Sequence, residues 1–140
     1  MNNLRIMGFP KKQTELELHE PMIAETKMYP ELNTIFISLH GFAELDETIK
    51  EVDIFEASMP SLPLKDMSLI IDCNDMAPFK ADILPVLERC YVMYNSFKHA
   101  VLVNPKKVVA KSQLQRVAPN AGFQGHFVDT VEEAWAIVKS

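Results

Sequence analysis

Between Leu32 and Met59 the spacing of apolar residues switches from every second position to every third or fourth, and it keeps switching back to the end of the chain. A period of two marks a strand with one buried face. A period near 3.6 marks an amphipathic helix. LNTIFISLHG (32–41) places Leu32, Thr34, Phe36, Ser38 and His40 on one side and Asn33, Ile35, Ile37 and Leu39 on the other. AELDETIKEVDIFEASMP (43–60) then carries Leu45, Ile49, Val52, Phe55 or Ala57, and Met59 at helical spacing, with acids opposite. Pro60 and Pro63 end that helix, because proline has no amide donor.

The remaining elements follow the same rule. MSLIID (67–72) is a short apolar run ending at Asp72 and predicts a buried central strand. A helix begins near Lys80, with Ile83, Leu84, Leu87, Cys90, Tyr91 and Tyr94 on its apolar face and Pro85 in its first turn. HAVLVN (99–104) is another buried strand, and Asn104-Pro105 has the form of an N-cap and first position for a helix reaching about Ala118. FQGHFVD (123–129) is a last strand. Thr130 and Glu133 have capping-box spacing ahead of a final helix carrying Val131, Ala134, Trp135 and Val138. Upstream, TELELH (14–19) and MIAETKMY (22–29) read as two further strands, and residues 1–13 as a loose lead-in.

The predicted order is βββαβαβαβα. Short links make the first three strands an antiparallel meander, whereas helices between the later strands require parallel crossovers. The expectation is an α/β fold with a single mixed sheet and four helices, one domain over residues 14–140.

Composition narrows the function. The chain has 140 residues and a net charge of −5, which disfavours a nucleic-acid or anionic-membrane binder. Lys106, Lys107, Lys111 and Arg116 cluster locally and read as a solvated helix face. The N-terminal residues lack the apolar core of a signal peptide, and no apolar run nears the ~20 residues of a membrane span. The expectation is a soluble cytoplasmic protein with a protein partner; the sequence leaves a homodimer and a small apolar ligand open.

The chemistry-bearing residues gather after Asp72. The carboxyl ends of parallel strands are where open α/β sheets hold ligands. A phospho-acceptor at Asp72 would need Mg²⁺ and further carboxylates, and the earlier strand ends, LHEP, MYPE and LHGF, supply no acid pair. The plainer expectation is that Asp72 or Asn74 bonds the loop backbone and that Asp82 helps open the next helix. Cys73 lies just past a strand end, where a thiol can act as a nucleophile, but nothing fixes a base beside it. Cys90 falls on an apolar helix face. His19, His40, His99 and His126 are scattered, so no metal is expected. With four glycines and no phosphate-binding motif, no nucleotide or other cofactor is expected either. Asn104, Lys106 and Lys107 form the one candidate anion site, a helix start beside two cations.

The element order together with NTIFISLHGFAE, MSLIIDCNDMAPF, KADILPVLERCYVMYNSF, HAVLVN and HFVDTVEEAWAIV resembles a STAS-like domain. That is the fold of anti-sigma-factor antagonists and of sulfate-transporter tails, here closest to the stand-alone bacterial STAS/SEC14-like branch. The resemblance covers about Glu15 to Lys139. It implies a non-catalytic regulatory or protein-interaction module, with a small apolar or lipid-like ligand as the alternative. In the antagonist branch a phosphorylatable serine follows the strand aspartate within Asp-Ser-Ser-Gly. The corresponding stretch here is Lys80-Ala81-Asp82-Ile83, which has no hydroxyl. Asp82 then stands as a phosphate mimic or a helix cap, of which the cap is the simpler. The contact loop this implies comprises Asn74, Asp75, Met76, Pro78, Phe79, Lys80 and Asp82.

Overall fold

A computed structural model describes residues 22–140. The expected strand at 14–19 and the lead-in at 1–13 lie outside the described residues. From Ile23 onward the chain forms β1 (Ile23–Tyr29), β2 (Thr34–Gly41), α1 (Leu45–Ser58), β3 (Ser68–Met76), α2 (Leu84–Tyr94), β4 (His99–Val103), α3 (Val108–Asn120), β5 (His126–Val128) and α4 (Val131–Lys139). The five strands make one sheet in the order β1-β2-β3-β4-β5. β1 and β2 are antiparallel, and every later pair is parallel. The α/β class, the single mixed sheet and the four helices are as the periodicity required.

The turn between β1 and β2 is a 3₁₀ turn at Pro30–Leu32 closed by Asn33 in the left-handed region, φ 48°. Asparagine enters that region more readily than most side chains. Its amide donates to the Pro30 carbonyl at 3.1 Å.

Every parallel crossover advances to the next strand in the same direction. Crossovers of one hand stepping one way deposit their helices on one face. The packing agrees. Ile35, Leu69, Ile71, Cys73, Ala100 and Leu102 face α1, α2 and α3, with Val52, Cys90, Tyr91, Leu114 and Val117 opposite. The alternate strand residues Ile70, Val101 and Val103 face α4 and pack on Ala134, with Phe36 and Trp135 beside them. Phe36 and Trp135 stack at 5.9 Å, and Tyr29 meets Trp135 edge-on at 4.9 Å. Each fully buried Leu, Ile or Val contributes about 1.5–3 kcal/mol by leaving water.

Tyr91 is fully buried, and its hydroxyl donates to the Leu114 carbonyl at 2.7 Å, tying α2 to α3. Gly122, φ 68°, follows the C-cap of α3, where a left-handed residue ends a helix without steric penalty. α4 starts with the expected capping box, Thr130 Oγ1 accepting from the Glu133 amide at 3.1 Å.

Four boundaries depart furthest from the sequence expectation. β3 does not stop at Asp72 but runs to Met76. A register shift between Ser38 and His40 of β2 lets pairing resume, with His40 opposite Asp75 and Gly41 opposite Met76. The second helix begins at Leu84, after a 3₁₀ turn at Ala81–Ile83. The third begins at Val108, with Lys107 and not Asn104 in the N-cap position. The last strand shortens to His126–Val128, the residues whose pairing with β4 is satisfied.

Candidate functional site

The carboxyl edge of the sheet is where the sequence concentrates its polar side chains, and they are spent largely on one another. The Asp72 carboxylate accepts from the Asn74 amide at 3.1 Å, the local bond expected of a residue that turns a chain. The Asn74 side chain donates to the Asn104 carbonyl at 2.6 Å. The Asn104 side chain donates to Asp129 at 2.9 Å and accepts from Gln115 Nε2 at 3.0 Å. Lys111 approaches Asp129 at 3.5 Å. The Asp129 carboxyl therefore sits below its ordinary range, chiefly because Asn104 donates to it and secondarily because Lys111 is near. His40 Nδ1 lies 3.2 Å from Asp75 Oδ2, directly across the β2–β3 register.

This geometry redistributes the residues singled out by sequence. Of the expected contact loop, Asn74, Asp75 and Met76 belong to β3. Met76 and Phe79 are buried, and the Phe79 backbone is held from both sides by the Gln113 side-chain amide at 2.8 and 2.9 Å. Pro78 is half-buried, while Asp75, Lys80 and Asp82 remain exposed. Asp82 makes no capping hydrogen bond, so the expected cap is corrected. Pro85 in the first turn of α2 removes one of the donors that a cap would have served. The helix-start geometry that suggested an anion site is also corrected. Asn104 is buried and fully engaged by protein groups, and α3 opens downstream beside the exposed Lys106 and Lys107.

Cys73 is 1% exposed, and burial first and the neighbouring Asp72 second push its thiol far above the ordinary range. Cys90 is pushed up to about 11 by burial, although the nearby Tyr94 hydroxyl works the other way. A thiol held neutral is a poor nucleophile. No group of three or more His, Cys, Asp or Glu side chains converges as a metal site among the described residues.

The feature that sequence inspection did not find is a cavity of about 330 Å³ between the sheet and α1–α2. Its floor is Ile35, Ile37 and Leu39 of β2 and Ile71 and Cys73 of β3. Val52 and Phe55 of α1 form one wall, and Leu87, Cys90, Met93 and Tyr94 of α2 the other. Met22 just before β1, Ala24 and Thr26 within it, and Ala43 just after β2 also line the space. Arg89 on α2 holds the two helical walls together outside the cavity, with Nη2 2.7 Å from Asp53 Oδ1 and bonded also to Glu56. The volume lies at the lower end of the ~300–1,000 Å³ typical of small-molecule sites.

Nearly all of the lining is apolar. Glu51, exposed on α1, is the only charged residue among those described that reach the cavity. Thr48, one turn before Val52, also lines it and is 8% exposed. Its Oγ1 has no hydrogen-bond partner among the described residues. A dry, unpaired hydroxyl costs about 1–3 kcal/mol. Thr48 occupies the apolar stripe of α1 between Leu45 and Val52, which was the available sequence signal: a hydroxyl on the inward face.

No protein-family model matches the chain, and no curated protein is detectably similar to it in sequence. No helix among the described residues is long and apolar enough to cross a membrane.

Proposed function

We propose that the protein is a non-catalytic binding module of STAS/SEC14-like type that holds a small apolar ligand between its sheet and the α1–α2 pair. The observation that carries this reading is the cavity of about 330 Å³ with its almost wholly apolar wall. The space is a half-open cleft at one end of the core, and an apolar wall of this extent favours an apolar ligand over water. Native mass spectrometry of freshly purified protein, paired with organic extraction, tests it. A ligand-bearing mass that collapses to the apo mass after extraction supports the reading, and a single apo mass that takes up no apolar probe contradicts it.

A second reading keeps the regulatory role. Asp75, Lys80 and Asp82 are exposed within one eight-residue stretch and are the charged part of the contact loop offered to a protein partner. Under that reading Asp82→Lys abolishes recovery of a specific partner from the native host, and unchanged recovery removes the patch from the account.

A further inference from the structure

We infer that Thr48 is the polar anchor of the cavity, and that the ligand it selects is an uncharged molecule with one hydrogen-bonding end on an apolar body of roughly ten carbons. The inference rests on the apolar-ligand reading above and specifies the chemistry of that ligand. Three observations carry it.

The first is the orphaned hydroxyl. Thr48 is more than nine-tenths buried, lines the cavity, and its Oγ1 finds no partner among the described residues. Threonine inside a helix commonly relieves this by bonding the carbonyl four residues back. Here the Glu44 carbonyl accepts from the Thr48 amide at 2.9 Å, and the hydroxyl is left over. Buried polar groups are nearly always paired, so a ligand atom that donates to or accepts from Oγ1 completes the site.

The second is charge. No cation reaches the cavity among the described residues, and the one charged residue there, Glu51, is an acid three positions along the same helix. Residues three apart on a helix are neighbours. A carboxylate or phosphate head would lose its hydration, gain no counter-charge and meet Glu51. An alcohol or carbonyl meets none of these penalties.

The third is size. At about 30 Å³ per water-sized group, a space of about 330 Å³ holds roughly eleven heavy atoms. Of the other aliphatic hydroxyls that line the cavity, Ser58 Oγ donates to the Phe55 carbonyl at 2.7 Å and Thr26 is exposed on β1, whereas the Thr48 hydroxyl is both buried and without a partner among the described residues. The geometry therefore offers one buried polar point and not two.

The test uses the full chain, 1-decanol, decanoate at pH 7.5 and n-butylbenzene, which matches the apolar body and has no polar end. Calorimetric titration of wild type is expected to give 1-decanol at least ~10-fold tighter than decanoate. Thr48→Val is expected to weaken 1-decanol by ~10-fold, leave n-butylbenzene within twofold, and melt no lower than wild type, since it removes no hydrogen bond of the free protein. Thr48→Ser, which keeps the hydroxyl, restores the preference. If all three compounds bind but Thr48→Val changes none of them, or decanoate equals 1-decanol, the anchor is overturned while the apolar cavity stands. If neither 1-decanol nor n-butylbenzene binds wild type, the cavity reading falls and takes the anchor with it.

Discussion

The side-chain amide of Asn74 donates to the backbone carbonyl of Asn104 at 2.6 Å, fastening the carboxyl end of β3 to that of β4. From Asn104 the polar chain continues to Asp129 and Gln115, so the edge where an open α/β sheet usually receives its ligand is here laced to itself. The available space lies instead on the flank of the sheet, beneath α1 and α2. The hydrogen bonds along the polar edge and the apolar cavity on the flank together direct the functional reading away from the strand-end loop.

Asn104 is the hub of that lacing. Replacing it with alanine leaves the amide of Gln115 and the carboxylate of Asp129 without their partner while keeping the backbone bond to Asn74. Gln115 and Asp129 are exposed and turn to water, so Asn104→Ala is expected to lower stability by only about 0.5–1.5 kcal/mol, the net worth of a hydrogen bond made by the buried amide, read from the midpoint of urea unfolding at constant m-value.

Acid should erase the Asp129 contribution. Its folded-state carboxyl lies below the ordinary 3.8, so its ionised form is the one the fold favours. Such a group stabilises above the unfolded value and loses that effect as pH falls through the folded value. Wild type is therefore expected to exceed Asp129→Asn in stability at pH 6, with the difference closing as pH is lowered past about 4. Parallel urea titrations at several pH values measure it. Because Asp129 is exposed, added salt should also narrow the gap.

The two thiols give a separate check on the interior. Cys90 is pushed up to about 11 by burial, and Cys73 higher still. At pH 8 both are expected to react with a thiol reagent at least ~100-fold more slowly in the native protein than in urea. An apolar compound seated in the cavity that both cysteines line should slow them further. Fast labelling of Cys73 in the native state would contradict its place in a closed core.

Local signals were readable from the chain; long-range ones were not. The Thr130–Glu133 capping box forms as its spacing requires, because both partners lie within one turn. The β–α alternation survives because each period is a property of a single segment. Asp72-Cys73-Asn74-Asp75 has turn composition, yet it is strand, because β2 resumes pairing beyond a register shift that no local pattern encodes. Asn104-Pro105 has the composition of a helix start, yet Asp129 and Gln115, 25 and 11 residues away, claim the asparagine. The cavity is the hardest feature to foresee. Val52, Leu87 and Met93 look like ordinary core residues in sequence, and only the tertiary packing shows that they line a cavity together with Ala24 and Ala43.

The central claim is that this space, and not the strand-end loop, receives the ligand. Methyl-resolved NMR during titration with 1-decanol measures it directly. The account predicts saturable shifts at Val52, Ile71 and Leu87, which line the cavity, and none at the exposed Val108 and Val109. Shifts confined to the surface valines, or no saturable shift at any of the three cavity residues, would contradict it.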